Sequence, residues 1–526
     1  MAVPSKETLM IRMPAIRMPL RWRVATAACA ALFATGCDGS PPPDKPVAED
    51  ASDDQQEDSE SVSPHQDDPP LMNPSGQLDP DVDAQDTPTT SEEFVAPKRN
   101  RLGDTRPDIN ELRLQECGII RIESRRLRLL TDLPQKQVAH LPALADKLFD
   151  HLSAYFGKLP PAADGSEFQV TGHIIADESK FTAAGLLPET HMGFAHGRHF
   201  NYEFWMYGQK TDYFQEHLML HEFTHCFMTC ESGMRDIPPL WYIEGMAEYF
   251  ATHSVQDGRT QFGVLPDTVD DFEGWGRIAE LKRSFWEQQR QPLAEDSGAI
   301  TTMLTISPLD DIIPTRVLEF ESDYQYASTW AVCWLMEQNL EYRQLSEQFR
   351  LVRRRQPFLR IQQSIDSSLM HRFRTDWLLV VESLIEGFDT AHSFPIHHSE
   401  PWTLAAAPVE LELRADRGWF DSGLRLKANE SVTVTCEGRI RLNRLAKPWE
   451  SEPQGVSIEY HEQLPLGRVV GILIGKEGDT ISGRISIGRG RTIEVSQDCS
   501  LWLQVNESES ERADNSGSIQ VTLTAK

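Results

Sequence analysis

His221-Glu222-Phe223-Thr224-His225 holds two imidazoles four residues apart with a carboxylate beside the first. On a helix, residues at i and i+4 share a face, so both rings can reach one metal ion at about 2.0 to 2.1 Å. Glu222 then projects alongside, suited to take a proton from an attacking water rather than to bind the metal. Leu218, Leu220, Phe223 and Phe227 predict a mostly buried helix here, from about Tyr213 to Thr229. So short a motif recurs by chance, and a catalytic site needs a third protein ligand with one position left open. Trp241-Tyr242-Ile243-Glu244-Gly245-Met246-Ala247-Glu248 offers Glu244, with eighteen residues between it and His225. That interval suffices to end one helix, turn at Gly233 and Pro238-Pro239, and return a second helix, about Leu240 to Thr252, across the first. Glu248, one turn after Glu244, is suited to accept the free N–H of a liganding histidine. His217 sits one turn too early to join the ligands and is expected in surface or supporting packing. Cys226 points about 100° away from His225 and is expected in the core.

These two helices need a scaffold. Gly118 to Leu130 alternates like a strand, Val138 to Phe156 has helical apolar spacing, and Phe168 to Ile175 predicts another strand. Beyond the motif, helices are expected near Arg277 to Gln288, Ser328 to Asn339, Arg343 to Val352 and Asp376 to Ile385. From Val409 the pattern changes to short alternating runs such as Ser431-Val432-Thr433-Val434-Thr435, punctuated by Gly, Asn and Asp. Residues 396–526 are therefore expected to form an all-β sandwich or jelly roll.

His-Glu-x-x-His followed after eighteen residues by Trp-x-x-Glu-Gly resembles the gluzincin peptidases, with the spacing of the aminopeptidase N family. The form Glu244-Gly245-Met246-Ala247-Glu248-Tyr249 is similar to the peptidase-MA-like domains of bacterial lipoproteins. The resemblance spans about 112–390 and is dense only around the two helices. It implies an α+β zincin-like domain over 111–395, zinc held by His221, His225 and Glu244, and Glu222 as general base on the water that zinc activates. It also implies Tyr326, with Tyr324 as the alternative, as donor to the developing oxyanion; simple packing at a helix start is the other reading of Tyr326. The Gly-x-Met-Glu-Asn exopeptidase motif is absent, and Gly193-Phe194-Ala195-His196-Gly197 stands nearest its place, so trimming of N-termini is not implied. In the C-terminal region, Gly418 to Gly423, Pro465 to Gly467 and Asn506 to Ser518 resemble the calcium-dependent galactophilic lectins. That resemblance implies glycan binding with Glu507, Asp514 and Asn515 as calcium ligands, beside the plainer reading of an acidic turn between strands.

At the N-terminus Arg12, Arg17, Arg21 and Arg23 precede an apolar stretch from Val24 to Phe33, and translation could also start at Met10, Met13 or Met18. The stretch is too short to span a bilayer and is built like an export signal. Ala34-Thr35-Gly36-Cys37 resembles a bacterial lipobox, with Ala34 where Leu is usual, so residues 1–37 are expected to be a lipoprotein signal with Cys37 acylated; an ordinary cleaved signal is the alternative. Residues 38–110 are polar and acidic, unable to bury enough surface to fold, and are expected to form an extended tether. Between Asp38 and Pro97 seventeen acids face the single base Lys45, so this stretch holds −16 of the formal −29.

No clustered basic surface exists to neutralise phosphates, which argues against nucleic acid. Arg353-Arg354-Arg355 is expected to be the solvated face of a helix. Six cysteines lie beyond the leader, and Cys436 with Cys499 is the one disulfide guessed, free thiols being the alternative.

Together these readings predict an exported, lipid-anchored zinc peptidase on the periplasmic or cell-surface side, acting on proteins or peptides. The alternatives are a non-catalytic, zinc-containing surface protein that binds carbohydrate through its C-terminal domain, and a zinc hydrolase of some other amide.

Overall fold

The computed structural model describes residues 100–526 except 188–195, 232, 234–235, 257, 273–275, 290–302, 306–312, 314–322 and 443–447. The leader, Cys37, nearly all of the tether and Gly193-Phe194-Ala195 lie outside the described residues. Among those described, no helix is long and apolar enough to cross a membrane.

An α+β region comes first, opening on the short helix α1 (Glu111–Glu116). Its five-stranded sheet has the order β1-β2-β3-β5-β4, from β1 (Ile120–Glu123), β2 (Leu127–Thr131), β3 (Val170–Ile175), β4 (Gly197–Phe200) and β5 (Glu203–Tyr207). Strands β2, β3 and β5 are parallel, while β1 and β4 run antiparallel at the two edges. The single strand expected over Gly118 to Leu130 is thus a hairpin turning at Ser124 to Arg126. Pro142 suits the first turn of a helix, so the expected helix from Val138 resolves into α2 (Gln135–Val138) and α3 (Leu141–Phe156). Leu144, Leu148, Leu152 and Phe156 line the buried face of α3. The folded part starts before the boundary at 111: Arg101 is buried and donates to the Tyr202 hydroxyl at 2.7 Å.

Helix α4 (Glu178–Ala184) precedes α5 (Asp212–Thr229), which carries the motif. Thr211 caps α5 by accepting from the Phe214 N–H at 3.2 Å. Helix α5 is buried nearly all round because β4 and β5 cover one side, α3 a second and α6 (Leu240–Ala251) a third. Beyond α6 come the hairpin β6 (His253–Gln256) and β7 (Arg259–Phe262), then α7 (Arg277–Gln289) and α8 (Asp323–Gln338). Gly245 sets how closely α6 crosses α8. A Cβ there would fall 2.5 Å from the Thr329 carbonyl oxygen and 2.6 Å from Cys333 Sγ.

Helices α9 (Arg343–Arg350), α10 (Arg355–Gln363) and α11 (Ser367–Ser383) complete this region. Helix α11 starts nine residues before its expected position because the Asp366 side chain caps it, accepting from the Ser368 N–H at 2.8 Å. Arg353 corrects the solvated-face expectation. It lies between α9 and α10, is mostly buried, pairs with Glu231, and donates to the Phe156 carbonyl at 2.7 Å.

Residues 409–525 form two packed sheets. One has the order β10-β18-β14-β15-β8, with β13 and β16 also on β14; the other has the order β12-β11-β19-β9, with β17 on β11. The first uses β10 (Phe420–Leu426), β13 (Gln454–His461), β14 (Leu464–Gly475), β15 (Thr480–Ser482), β16 (Ile485–Ser486) and β18 (Cys499–Val505), joined by β8 (Met303–Thr305) from the α+β region. The second uses β9 (Val409–Arg414), β11 (Ser431–Leu442), β12 (Trp449–Ser451), β17 (Gly490–Glu494) and β19 (Ser516–Ala525).

Successive side chains in a strand face opposite ways. On β14, Val469 and Leu473 enter the sandwich core, whereas Val470, Ile472 and Ile474 join the core of the helices. On β18, Leu501 and Leu503 face the sandwich and Trp502 faces the helices. That is why Val469 to Ile474 is an unbroken apolar run rather than an alternating one. Each such fully buried side chain contributes about 1.5–3 kcal/mol relative to exposure, so the two regions are welded by a shared core. Cys436 and Cys499 are both buried in the sandwich and both free, which overturns the guessed disulfide.

Candidate metal centre

Helix α5 holds His221 and His225 one turn apart, with their Nε2 atoms 3.0 Å from each other. Helix α6 crosses so that Glu244 Oε2 lies 3.2 Å from His225 Nε2 and 3.4 Å from His221 Nε2. The three ligand atoms lie within 4.8 Å of one another, the one such group of three His, Cys, Asp or Glu side chains among the described residues. Glu248, one turn on, is buried behind them. Its Oε1 is 3.3 Å from His221 Nδ1 and its Oε2 is 3.1 Å from His217 Nε2. Arg277 closes the back, donating from Nε to Oε2 at 2.8 Å and from Nη2 to Oε1 at 2.6 Å.

Arg277 holds Glu248 with its Oε1 3.3 Å from His221 Nδ1, which favours a proton on that nitrogen and leaves Nε2 facing His225 and Glu244. Two imidazole nitrogens and a carboxylate oxygen face one another at 3.0 to 3.4 Å, an arrangement that a shared proton or a cation among them makes favourable. The charges around it act in the same direction. Burial disfavours charge on His221, yet Glu244 and Glu248 outweigh it and lift the imidazole to about 10. Burial also opposes ionisation of Glu244 and Glu248. His225 and His221 nevertheless hold the first, and Arg277 and His217 the second, below the usual carboxylate range. Burial keeps His225 below its ordinary value and His217 down at about 4. This nitrogen and oxygen donor set, with a fixed tautomer behind it, fits a divalent cation.

Glu222 is buried beside the cluster and binds neither neighbour on α5. Its Oε1 rests against the β4 backbone, where a Cβ on Gly197 would come within 2.3 Å. His199, two residues along β4, has its Nδ1 3.4 Å from Glu222 Oε2, and its ring stacks on His225 with centroids 4.3 Å apart. The sequence reading missed His199 and Arg277, and named Gly197 only as the end of the segment nearest the exopeptidase motif's place. For His199 a signal existed, because alternate residues of a strand share a face; for Arg277, more than fifty residues from His221, there was none.

Neither protein-family models nor curated proteins match the chain. Several solved structures match a part of it, two of them as follows. "EclA N-terminal domain; PllA-like lectin" is 17% identical with a TM-score of 0.18, covering 22% of this chain and 95% of that one. PliG of Aeromonas hydrophila, a periplasmic lysozyme inhibitor of g-type lysozyme, is 10% identical with a TM-score of 0.16, covering 25% and 99%. At those TM-scores nothing is inferred from either.

Of the other expected residues, Tyr326 lies in the first turn of α8 with the Arg277 guanidinium 5.5 Å from its ring centroid, linking it to the cluster through Glu248. The Tyr324 hydroxyl is buried without a hydrogen bond. Cys226 packs in the core, and His217 supports Glu248. In the sandwich, Glu507 and Asn515 are buried 3.4 Å apart, whereas Asp514 is exposed on the turn Arg512–Asp514. A cavity of about 720 Å³ lined by Asp212, Glu216, His253 and Asp271 lies near the start of α5 and includes none of the cluster residues.

Proposed function

We propose that this protein is a zinc-dependent peptidase of gluzincin type. The observation that carries the reading is the convergence of His221, His225 and Glu244 with Glu222 alongside, at the foot of an edge strand. Among the described residues β4 pairs only with β5, so its outer edge offers N–H and C=O groups to an extended peptide, which would lie across the cluster as an added strand. Zinc bound by the three residues would supply Lewis acidity, making a water a nucleophile near neutral pH and polarising the scissile carbonyl. Glu222 takes the proton of the attacking water and passes it to the leaving amine. Glu248, held by Arg277 and His217, keeps His221 in the liganding tautomer. Tyr326 is assigned as donor to the oxyanion on the resemblance of its segment. The leader supports export and anchoring through Cys37.

The test is zinc content together with hydrolysis of a mixed peptide library, for wild type and Glu222→Gln. Stoichiometric zinc in both and cleavage by the wild type alone are expected. Zinc in both with cleavage by neither would leave a metal-bound scaffold, and absence of zinc would sink the metal site.

A further inference from the structure

His199 touches two members of the site at once. Gly197 and His199 share one face of β4, and both meet Glu222. The carboxylate is thus held between the Gly197 backbone on its Oε1 side and the His199 imidazole on its Oε2 side. The same imidazole lies on His225, its plane within 22° of that ring. His199 is mostly buried, with 13% of its side chain exposed, so these contacts are not screened by bulk water. Nδ1 lies 3.4 Å from Oε2 without hydrogen-bond geometry, so it acts on the carboxylate by close electrostatic and steric contact, while the ring face covers His225.

Resting on the peptidase reading, we propose that His199 is a positioning residue with two separable roles, its Nδ1 restraining the Glu222 carboxylate and its ring restraining His225. The edge strand that would receive the peptide then also fixes the general base and a metal ligand. A residue supporting a ligand in this way typically changes metal affinity or activity by about 10–100-fold.

Substitutions divide the roles. His199→Phe keeps a stacking ring and loses the N–H; His199→Asn keeps an N–H near the Nδ1 position and loses the ring; His199→Ala loses both. In the full-length chain, zinc affinity is measured by competition with a chromophoric chelator, and kcat and KM at saturating zinc on a peptide that the wild type cleaves. His199→Ala is expected to weaken zinc binding and to lower kcat, each by about tenfold or more, with KM within about twofold. His199→Phe should bind zinc like the wild type and lack most of the kcat, whereas His199→Asn should recover kcat and not affinity. Equal behaviour of the three variants in both measurements, or wild-type values for His199→Ala, would overturn the proposal. A wild type that binds zinc and cleaves nothing would remove the peptidase reading alone. The affinities would still decide the role of the ring, since His199→Phe must then exceed Ala and Asn. A wild type that binds no zinc overturns both.

Discussion

Two groups of buried carboxylates, one in the helices and one where the sandwich meets them, answer the same problem differently. Behind the sandwich, Glu509 is fully buried and faces two cations of the chain itself. Arg512 donates to it at 3.1 Å, and Arg484 lies 3.7 Å away while also pairing with Glu382. Arg512 also donates to the Val505 carbonyl at 2.9 Å, the Glu507 carbonyl at 2.7 Å and the Arg417 carbonyl at 3.3 Å. In the helices Arg277 serves Glu248 in the same way, but Glu244 has only imidazoles. The first group is closed by its own guanidinium groups; the second keeps three donor atoms turned toward one point. A buried carboxylate already matched by arginine is architecture, whereas one faced only by imidazoles is the candidate for a cation from outside.

The largest expected effect breaks the comparison at its centre. Glu244→Ala should lower bound zinc from stoichiometric to near none while the fold persists, as measured by metal analysis and circular dichroism. Retention of zinc would show that the ligands lie elsewhere. On the other side, Arg512→Met takes one of its two cations from Glu509 and the guanidinium donor from three carbonyls, so a loss of about 3–5 kcal/mol in denaturant unfolding is expected. The wild-type melting temperature should not move when calcium is added. A clear rise with calcium would instead restore Glu507, Asp514 and Asn515 as an ion site.

An intermediate effect sharpens the role of the arginine behind the candidate metal site. Glu248→Gln keeps shape but no longer holds a charge between Arg277 and the histidines, so zinc affinity should fall by about 10–100-fold, read by chelator competition. If affinity is unchanged, the tautomer of His221 is set by something other than Glu248.

This difference between the regions also accounts for what the sequence showed. His221, His225, Glu244 and Glu248 were legible because helical periodicity turns spacing into geometry, and the Gly245 that follows Glu244 is where α6 meets α8. His199 and Arg277 were not, because strand β4 and helix α7 reach the cluster only through tertiary packing. The sandwich was legible from alternation, yet its union with the helices was hidden. An apolar run such as Val469 to Ile474 states that both faces are buried without saying against what. Helix α11 was placed late because Asp366 was not taken as its cap.

Glu203 supplies a third case, a mostly buried carboxylate with neither arrangement. It sits on β5 with its side chain 14% exposed, and its near neighbour His173, 4.0 Å away, is kept neutral at physiological pH because burial holds it down at about 4. Burial lifts Glu203 to about 7, and the opposing attraction of Arg106 is too weak to prevent it. A folded value above the unfolded one means that the protonated form is the stabilising one. That contribution is complete below about 4.5 and is lost as the pH rises through about 7. Glu203→Gln removes the penalty of a buried charge and should raise the melting temperature by on the order of 2–4 °C at pH 8, with no gain near pH 5. A gain of equal size at both pH values would mean that the substitution acts through packing. A loss at pH 8 would mean that Glu203 has a cation partner after all and belongs with Glu509.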